Sequence, residues 1–268
     1  MIKVGLVGCG VIGSGLARSI DNKEVPGLEL VVICDKDRIK EEKLASSLRR
    51  IPASASMEGV VENADLVIEA ASCGIVGELV QEVINKGKDS MVMSVGGMLD
   101  YLHLFTEARE KKCKIYFPSG AIAGLDGIKA AKESSLDSVT LETSKPPQGM
   151  KDASYLLERN IDLTGIKEKV VVFEGSCQEA VKAFPKNINV AAALSFAGVG
   201  MKRTKVRIIA DPSLKRNVHH IIVKGDFGKL EIMAENVPSP SNPKTSYLAI
   251  LSAIATLRGI VDSVKIGS

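Results

Sequence analysis

Short apolar runs and stretches of helical periodicity alternate along the first part of the chain. Val4–Val7, Leu28–Cys34, Asp65–Ala71, Met91–Val95 and Lys114–Phe117 read as buried strands. Between them lie a helix through Leu16 and Ile20, a charged helix near Arg38–Leu48, the spacing Val76, Leu79, Val80, Val83, and a helix over Leu102–Lys112. Strand and helix in strict alternation predict a doubly wound α/β domain whose parallel sheet has at least five strands. Pro118-Ser119-Gly120 breaks the pattern. Beyond it, β-rich runs at Val139–Thr143, Val170–Phe173, Val206–Ala210, Val218–Lys224 and Lys229–Glu235 alternate with helical segments, which predicts an α+β domain. These runs are short and bounded by polar turns, as in a sheet with one face open to a ligand or a partner. Asn242-Pro243 reads as a helix start, with Asn as N-cap and Pro in the first helical position. Leu248, Leu251, Ile254 and Leu257 would then form its buried stripe. The expected organisation is residues 1–118, residues 119–241 and a last helix over 242–268. Whether that helix packs back on the first domain is left open.

One turn in this pattern has chemical content. Ile2–Val7 leads directly into Gly8, Gly10 and Gly13, spaced G-x-G-x-x-G, and a helix follows. Gly8 permits the tight turn, Gly10 lets backbone approach a pyrophosphate, and Gly13 lets the helix pack closely on the sheet. The next strand, Leu28–Cys34, ends in Asp35, where an acid meets a ribose diol. Strand, glycine turn, helix, strand and acid in that order predict a Rossmann-type dinucleotide-binding domain.

Composition narrows the classes. The 268 residues are 45% hydrophobic, enough for a sizeable core. A net charge of +3 from 35 basic and 32 acidic residues is too mild to argue for nucleic acid, and six Phe, four Tyr and no Trp offer few stacking platforms. The five cysteines, Cys9, Cys34, Cys73, Cys113 and Cys177, are scattered and form no C-x-x-C pair. Neither a disulfide framework nor a zinc site is indicated, and a reducing cytoplasm fits best. No signal peptide or membrane-spanning run is expected.

Candidate chemistry is sparse, which sharpens it. Of three histidines, His219 and His220 are adjacent in a β-like run, so strand alternation sends them to opposite faces. A strand histidine is commonly a hydrogen-bonded structural group. Here, with no Cys/His cluster and no nucleophile elbow, few other groups could serve as an acid/base near neutral pH. His103, in a charged helical stretch, reads as a surface residue. Asn217 shares the face of His219 and either orients a substrate or closes the turn after Lys215-Arg216. Asn242–Ser246 read as a first helical turn could form a carboxylate pocket from Lys244, Thr245 and free N–H groups, although simple capping explains the same residues. Ser119–Gly127 is rich in small residues, suiting close backbone approach to a ligand, a hinge, or both. Asn187-Ile188-Asn189 reads as a helix start whose amides could meet a cofactor amide or phosphate, or as plain N-capping.

Several longer segments carry a resemblance. Phe117–Ile122, Lys145-Pro146-Pro147, Val171–Ser176, Phe184–Ala191, Ala210-Asp211-Pro212 and Asn236–Pro240 followed by Asn242–Ser246 are similar to the L-aspartate dehydrogenase family, over nearly the whole chain. The resemblance implies oxidation of L-aspartate by NAD or NADP to iminoaspartate, which water converts to oxaloacetate and ammonia. It also implies a homodimer, and an imine that can feed quinolinate and hence NAD synthesis. His219, in Asn-x-His, would be the acid/base, while Ala123 and Asn189 fall where the family contacts NAD. The expected cofactor site is then Gly8, Gly10, Val11, Ile12, Gly13, Asp35, Ala71, Ser72, Ala123 and Asn189, with Asn217, Lys244 and Thr245 at the substrate and no metal. Asp35 favours NAD because an anion repels a 2′-phosphate, whereas Lys36 and Arg38 could swing toward one, so both cofactors are expected to work. The rival readings are a dihydrodipicolinate-reductase-like or homoserine-dehydrogenase-like enzyme, and a non-catalytic NAD-binding redox sensor.

Overall fold

The computed structural model describes residues 1–151, 153–184, 188–240 and 242–267, with Pro243 and Lys244 described by their backbone alone. The chain divides into two compact units, Met1–Pro118 with Ala249–Lys265, and Ser119–Leu248 with Ile266–Ser268.

The first unit is an open six-stranded sheet. Its elements run β1 (Ile2–Val7), α1 (Val11–Asp21), β2 (Leu28–Cys34), α2 (Arg38–Ser46), β3 (Ala53–Ser54), α3 (Met57–Asn63), β4 (Leu66–Glu69), α4 (Cys73–Asn85), β5 (Asp89–Val92), α5 (His103–Glu110) and β6 (Ile115–Tyr116). The order is β3-β2-β1-β4-β5-β6, every pairing parallel. The strand read at Met91–Val95 thus begins and ends earlier, at Asp89–Val92, and β3 had no reading. Side-chain alternation divides the core between the two faces. Leu6, Ile33, Ile68 and Met91 pack with Leu16 and Ala17 of α1, while Val7, Val32 and Val67 pack with Val60 and Val61 of α3 and with Leu79 and Val83 of α4. Strands buried on both sides read as continuous apolar runs, which is why they were visible in the sequence.

The second unit holds α6 (Leu125–Ala131), β7 (Leu136–Lys145), α7 (Ser154–Glu158), β8 (Val170–Ser176), α8 (Cys177–Ala183), α9 (Asn189–Ala197), β9 (Thr204–Ala210), β10 (Asn217–Gly225) and β11 (Gly228–Asn236). The five strands are ordered β11-β10-β7-β9-β8, with β7 and β9 parallel and the other neighbours antiparallel. Val139, Leu141, Val206, Ile208, Ile221 and Val223 share one face, packed with Ile128 of α6, Ala180 of α8 and Leu194 of α9. The opposite face carries paired charges. Arg207 bridges Glu142 and Glu174, and His220 Nε2 lies 2.8 Å from Glu231.

The predicted helix start at Asn242 is overturned. Asn242–Ser246 is strand β13, paired with β12 (Pro238–Ser239), and helix α10 begins only at Tyr247 and runs to Val261. A residue preceding proline is driven toward extended backbone, and Ser239-Pro240 and Asn242-Pro243 impose this twice, so the helix waits for the uninterrupted Tyr247–Ile250 run. The predicted stripe shifts too. Leu248 and Leu251 are 36% and 41% exposed, while Ile250, Ala253 and Leu257 are buried. This face wins because it meets a small residue. A Cβ added at Gly15 of α1 would lie 2.9 Å from Ile250, so α10 packs closely there.

Candidate active site

In the first unit, the strand order reverses between β1 and β4, and ligands of open α/β sheets bind outside the carboxyl ends of strands at such a point. The three glycines there are required for different reasons. Gly8 has φ 103°, and a Cβ on it would come within 2.5 Å of Ala70 backbone. A Cβ on Gly13 would lie 1.9 Å from the Gly8 carbonyl oxygen, so the helix can approach the turn only without a side chain. At Gly10 a Cβ would meet nothing within 4 Å among the described residues. No neighbouring atom of the described residues explains that glycine, and the room beside it is where a pyrophosphate would lie against backbone. Gly10 also caps α1 without a side-chain bond, leaving the first-turn amides to a ligand. These residues fit a dinucleotide. Val11 and Ile12 follow in the first turn, both half-buried.

Asp35 does more than the ribose role expected of it. Its carboxylate accepts the Cys9 N–H at 2.6 Å and the Asp37 N–H at 2.8 Å, which ties the end of β2 into the glycine turn. Burial, with the Asp35 charge added, pushes the Cys9 thiol up to about 12 and keeps it protonated.

Ala71 and Ser72 are exposed between β4 and α4, next to the Ala70 that abuts Gly8. A residue missed in the sequence holds them. Glu69 is 1% exposed and accepts hydrogen bonds from Ala71 N–H, Ser94 N–H and Ser94 Oγ–H, each at 2.8 Å. Burial raises its pKa, opposed by these bonds. It pins the loops after β4 and β5. Its signal was a lone acid in an otherwise apolar strand.

In the second unit, His219 lies on β10 opposite Thr143 of β7 and Ala234 of β11. It faces the helix-covered side and is 6% exposed, whereas His220 faces the charged side. His219 Nδ1 and Thr143 Oγ1 are 2.9 Å apart and hydrogen bonded. Burial, with the charge of Lys145 added, lowers the His219 pKa to about 4. The imidazole is therefore neutral at pH 7. Lys145 is itself buried, which lowers its pKa to about 8.

Asn217, half-buried at the start of β10, is opposite Asn236 of β11. Asn236, also missed, is 4% exposed. Its Nδ2 donates to the Ala121 carbonyl at 2.9 Å, and its Oδ1 accepts from Ser246 Oγ–H. This amide therefore gathers three candidate segments: the loop bearing exposed Ala123, strand β13 bearing half-buried Thr245, and Asn217. With 242–246 extended, the pocket expected from a first helical turn there does not form. The Lys244 side chain and Asn187 lie outside the described residues. Asn189 opens α9 and is exposed, and His103 is exposed on α5. Among the described residues no cluster of three or more His, Cys, Asp or Glu could hold a metal ion.

Comparison with known proteins covers both units. Residues 126–260 match the model of the family described as aspartate dehydrogenase, C-terminal, and residues 8–118 match that of homoserine dehydrogenase, NAD binding domain. The chain is 49% identical over 272 residues to an L-aspartate dehydrogenase of Methanosarcina acetivorans and 41% identical over 274 residues to one of Nitrosopumilus maritimus, each alignment covering 100% of both chains. Among solved structures it is similar to the aspartate dehydrogenase of Thermotoga maritima, with a TM-score of 0.78 and 28% identity over 100% of both chains.

Proposed function

This chain belongs to the aspartate dehydrogenase family, and we propose on that basis that it oxidises L-aspartate with NAD or NADP, using His219 as the acid/base. The observation that carries this reading is the buried, neutral His219, fixed by Thr143 on the same strand face as Asn217. Bound nicotinamide supplies the hydride acceptor for the substrate Cα. The protein's own contribution is to bind, orient and move a proton. With Nδ1–H donating to Thr143, His219 presents the Nε2 lone pair, which accepts a proton from the substrate ammonium or from the water that attacks the imine. A histidine with a pKa of about 4 holds a proton poorly in the free enzyme. Two substrate carboxylates beside it raise its basicity, so proton acceptance is coupled to the presence of substrate. The product is iminoaspartate, which water converts to oxaloacetate and ammonia. Released before hydrolysis, the imine would serve quinolinate and NAD synthesis, a role that rests on family membership alone.

Assignment of Gly8, Gly10, Val11, Ile12, Gly13, Asp35, Ala71, Ser72, Ala123 and Asn189 to the cofactor, and of Asn217 and Thr245 to the substrate, belongs to the same proposal. So does a homodimer. The face of the second unit's sheet opposite the one packed with α6, α8 and α9 bears half-buried Val218 and Ile222 and a Met233 that is 63% exposed, among charges already paired within the chain. Light scattering on the purified protein tests it, a monomer mass being the refuting result. A cytoplasmic location is supported by five cysteines that are all free thiols. No helix of the described residues is long and apolar enough to cross a membrane.

The reaction is tested by absorbance of the reduced nicotinamide with NAD or NADP across L-aspartate, D-aspartate, L-glutamate, L-alanine and L-homoserine. Turnover confined to L-aspartate is expected. Turnover of L-homoserine alone, or NADH binding without turnover of any of the five, would overturn the reading.

A further inference from the structure

A second acid stands behind the one that ends β2. Glu41 lies in the first turn of α2, one turn before Leu44, and these two are the buried residues of that helix. Leu44 joins the apolar core, whereas Glu41 is 8% exposed and turns its carboxylate to the end of β2, where Oε2 accepts the Asp35 N–H at 2.7 Å. Asp35 in turn accepts the Cys9 and Asp37 N–H groups. A chain of hydrogen bonds thus links Glu41 through Asp35 to the glycine turn, one residue from Gly10. Burial raises the pKa values of Cys9 and Cys34, and the charges of Asp35 and Glu41 add to both, so the two acids act on one corner of the site. Among the described residues neither carboxylate forms an ion pair, and Lys40 of α2 pairs with Asp37 at 3.1 Å instead. Among the same residues Glu41 Oε1 accepts no hydrogen bond. The corner is therefore rich in acceptors and negative charge, beside the room at Gly10.

We propose that Glu41 is a specificity-determining residue: it sets a second negative charge behind Asp35 and holds Asp35 in place, so that the site prefers a free adenosine ribose diol to a 2′-phosphate. The inference deepens the proposed function and rests on its dinucleotide site. A diol donates two hydroxyls, which suits a corner made of acceptors. A 2′-phosphate brings acceptors and further negative charge, and meets two anions. Lys36 and Arg38 follow in sequence but are exposed, so solvent and salt screen them, whereas a buried charge is screened far less. The acids therefore outweigh them. NAD is favoured, and NADP is admitted at lower affinity.

The test is the ratio of the NADPH and NADH dissociation constants, read by nucleotide fluorescence on the full chain. Glu41→Gln keeps an oxygen to accept the Asp35 N–H and removes the charge. It is expected to lower the ratio by roughly tenfold, the scale of one poorly screened charge pair. Glu41→Asp, which keeps the charge, should hold the ratio within about threefold of the unaltered protein. A merely structural role would move both constants together and leave the ratio where it was. A ratio for Glu41→Gln within about threefold of the unaltered value overturns the inference. Should Glu41→Gln fail to fold by circular dichroism, a salt series on the unaltered protein decides. Between about 0.05 and about 0.5 M salt the exposed cations lose their pull, so the preference for NADH should persist or grow. A preference that falls to unity at the higher salt belongs to screened surface charge and overturns the inference. Failure to bind either nucleotide refutes the dinucleotide site and this inference with it. Absence of L-aspartate oxidation by a protein that still discriminates refutes the proposed reaction and leaves the role of Glu41 standing.

Discussion

Acidifying the solution should unfold this protein in a way traceable to one side chain. An unfolded chain protonates a histidine near pH 6.5, whereas native His219 stays neutral down to about 4. A depressed native pKa contributes stability that is fully present above the unfolded value and lost as pH falls toward the native one. At about pH 5 the unfolded histidine is almost wholly charged and the native one almost wholly neutral, which costs about 2 kcal/mol. The loss reaches about 3 kcal/mol at the native pKa. Because His219 is 6% exposed, solvent does little to discount this figure. The comparison protein is His219→Asn, which keeps an N–H donor for Thr143 but cannot titrate. His103, His220 and every carboxylate are common to both proteins, so their titrations cancel in the difference. Urea unfolding followed by circular dichroism near pH 7 and at about pH 5 gives four stabilities. The unaltered protein should lose about 2 kcal/mol more than the variant. Equal losses would show that His219 titrates normally, and the account of its neutrality would fail.

Three further outcomes are expected. His219→Ala should lower turnover by about two to four orders of magnitude with NADH affinity nearly intact, and an active variant would remove the acid/base assignment. Gly10→Ala should melt at the unaltered temperature yet bind NADH weakly, while Gly13→Ala, whose Cβ would sit 1.9 Å from a carbonyl oxygen, should be destabilised outright; thermal melts and fluorescence titration separate them, and equal melting would refute the distinction. Asp35→Ala leaves the Cys9 N–H without its acceptor and should cost about 1–3 kcal/mol of stability while shifting preference from NAD toward NADP. Comparable NADP efficiency before and after the change would show that Asp35 does not discriminate.

What could be read from the sequence depended on how local its cause is. The glycine turn, β1 and β2 were visible because φ, close packing and continuous burial act within a few residues. β7 to β11 were visible because alternation marks a half-covered sheet, and the same alternation separated His219 from His220. Glu69 escaped because its partner Ser94 lies 25 residues away, and Asn236 because its partner Ala121 lies 115 away. Lys145 was quoted within a motif, but its nearness to His219 follows only from the register of β7 on β10. The helix start at Asn242 failed because N-cap chemistry and the extended preference before proline compete for one dipeptide, and β12 was there to pair with the loser.

The docking of α10 onto the first unit has a consequence for how this protein is made. Ala253 and Leu257 belong to the same core as Leu6, Leu16 and Leu30, and Arg258 donates to the Glu24 carbonyl. The glycine turn emerges from the ribosome first, yet the core behind it waits for residues 249–265, about 130 residues later. At ordinary elongation rates that is roughly ten seconds in which a nearly complete nucleotide domain lacks one wall. The first unit thus completes its core only after the second has been synthesised, and a chain that ends before Ala249 lacks Ala253 and Leu257 from that core.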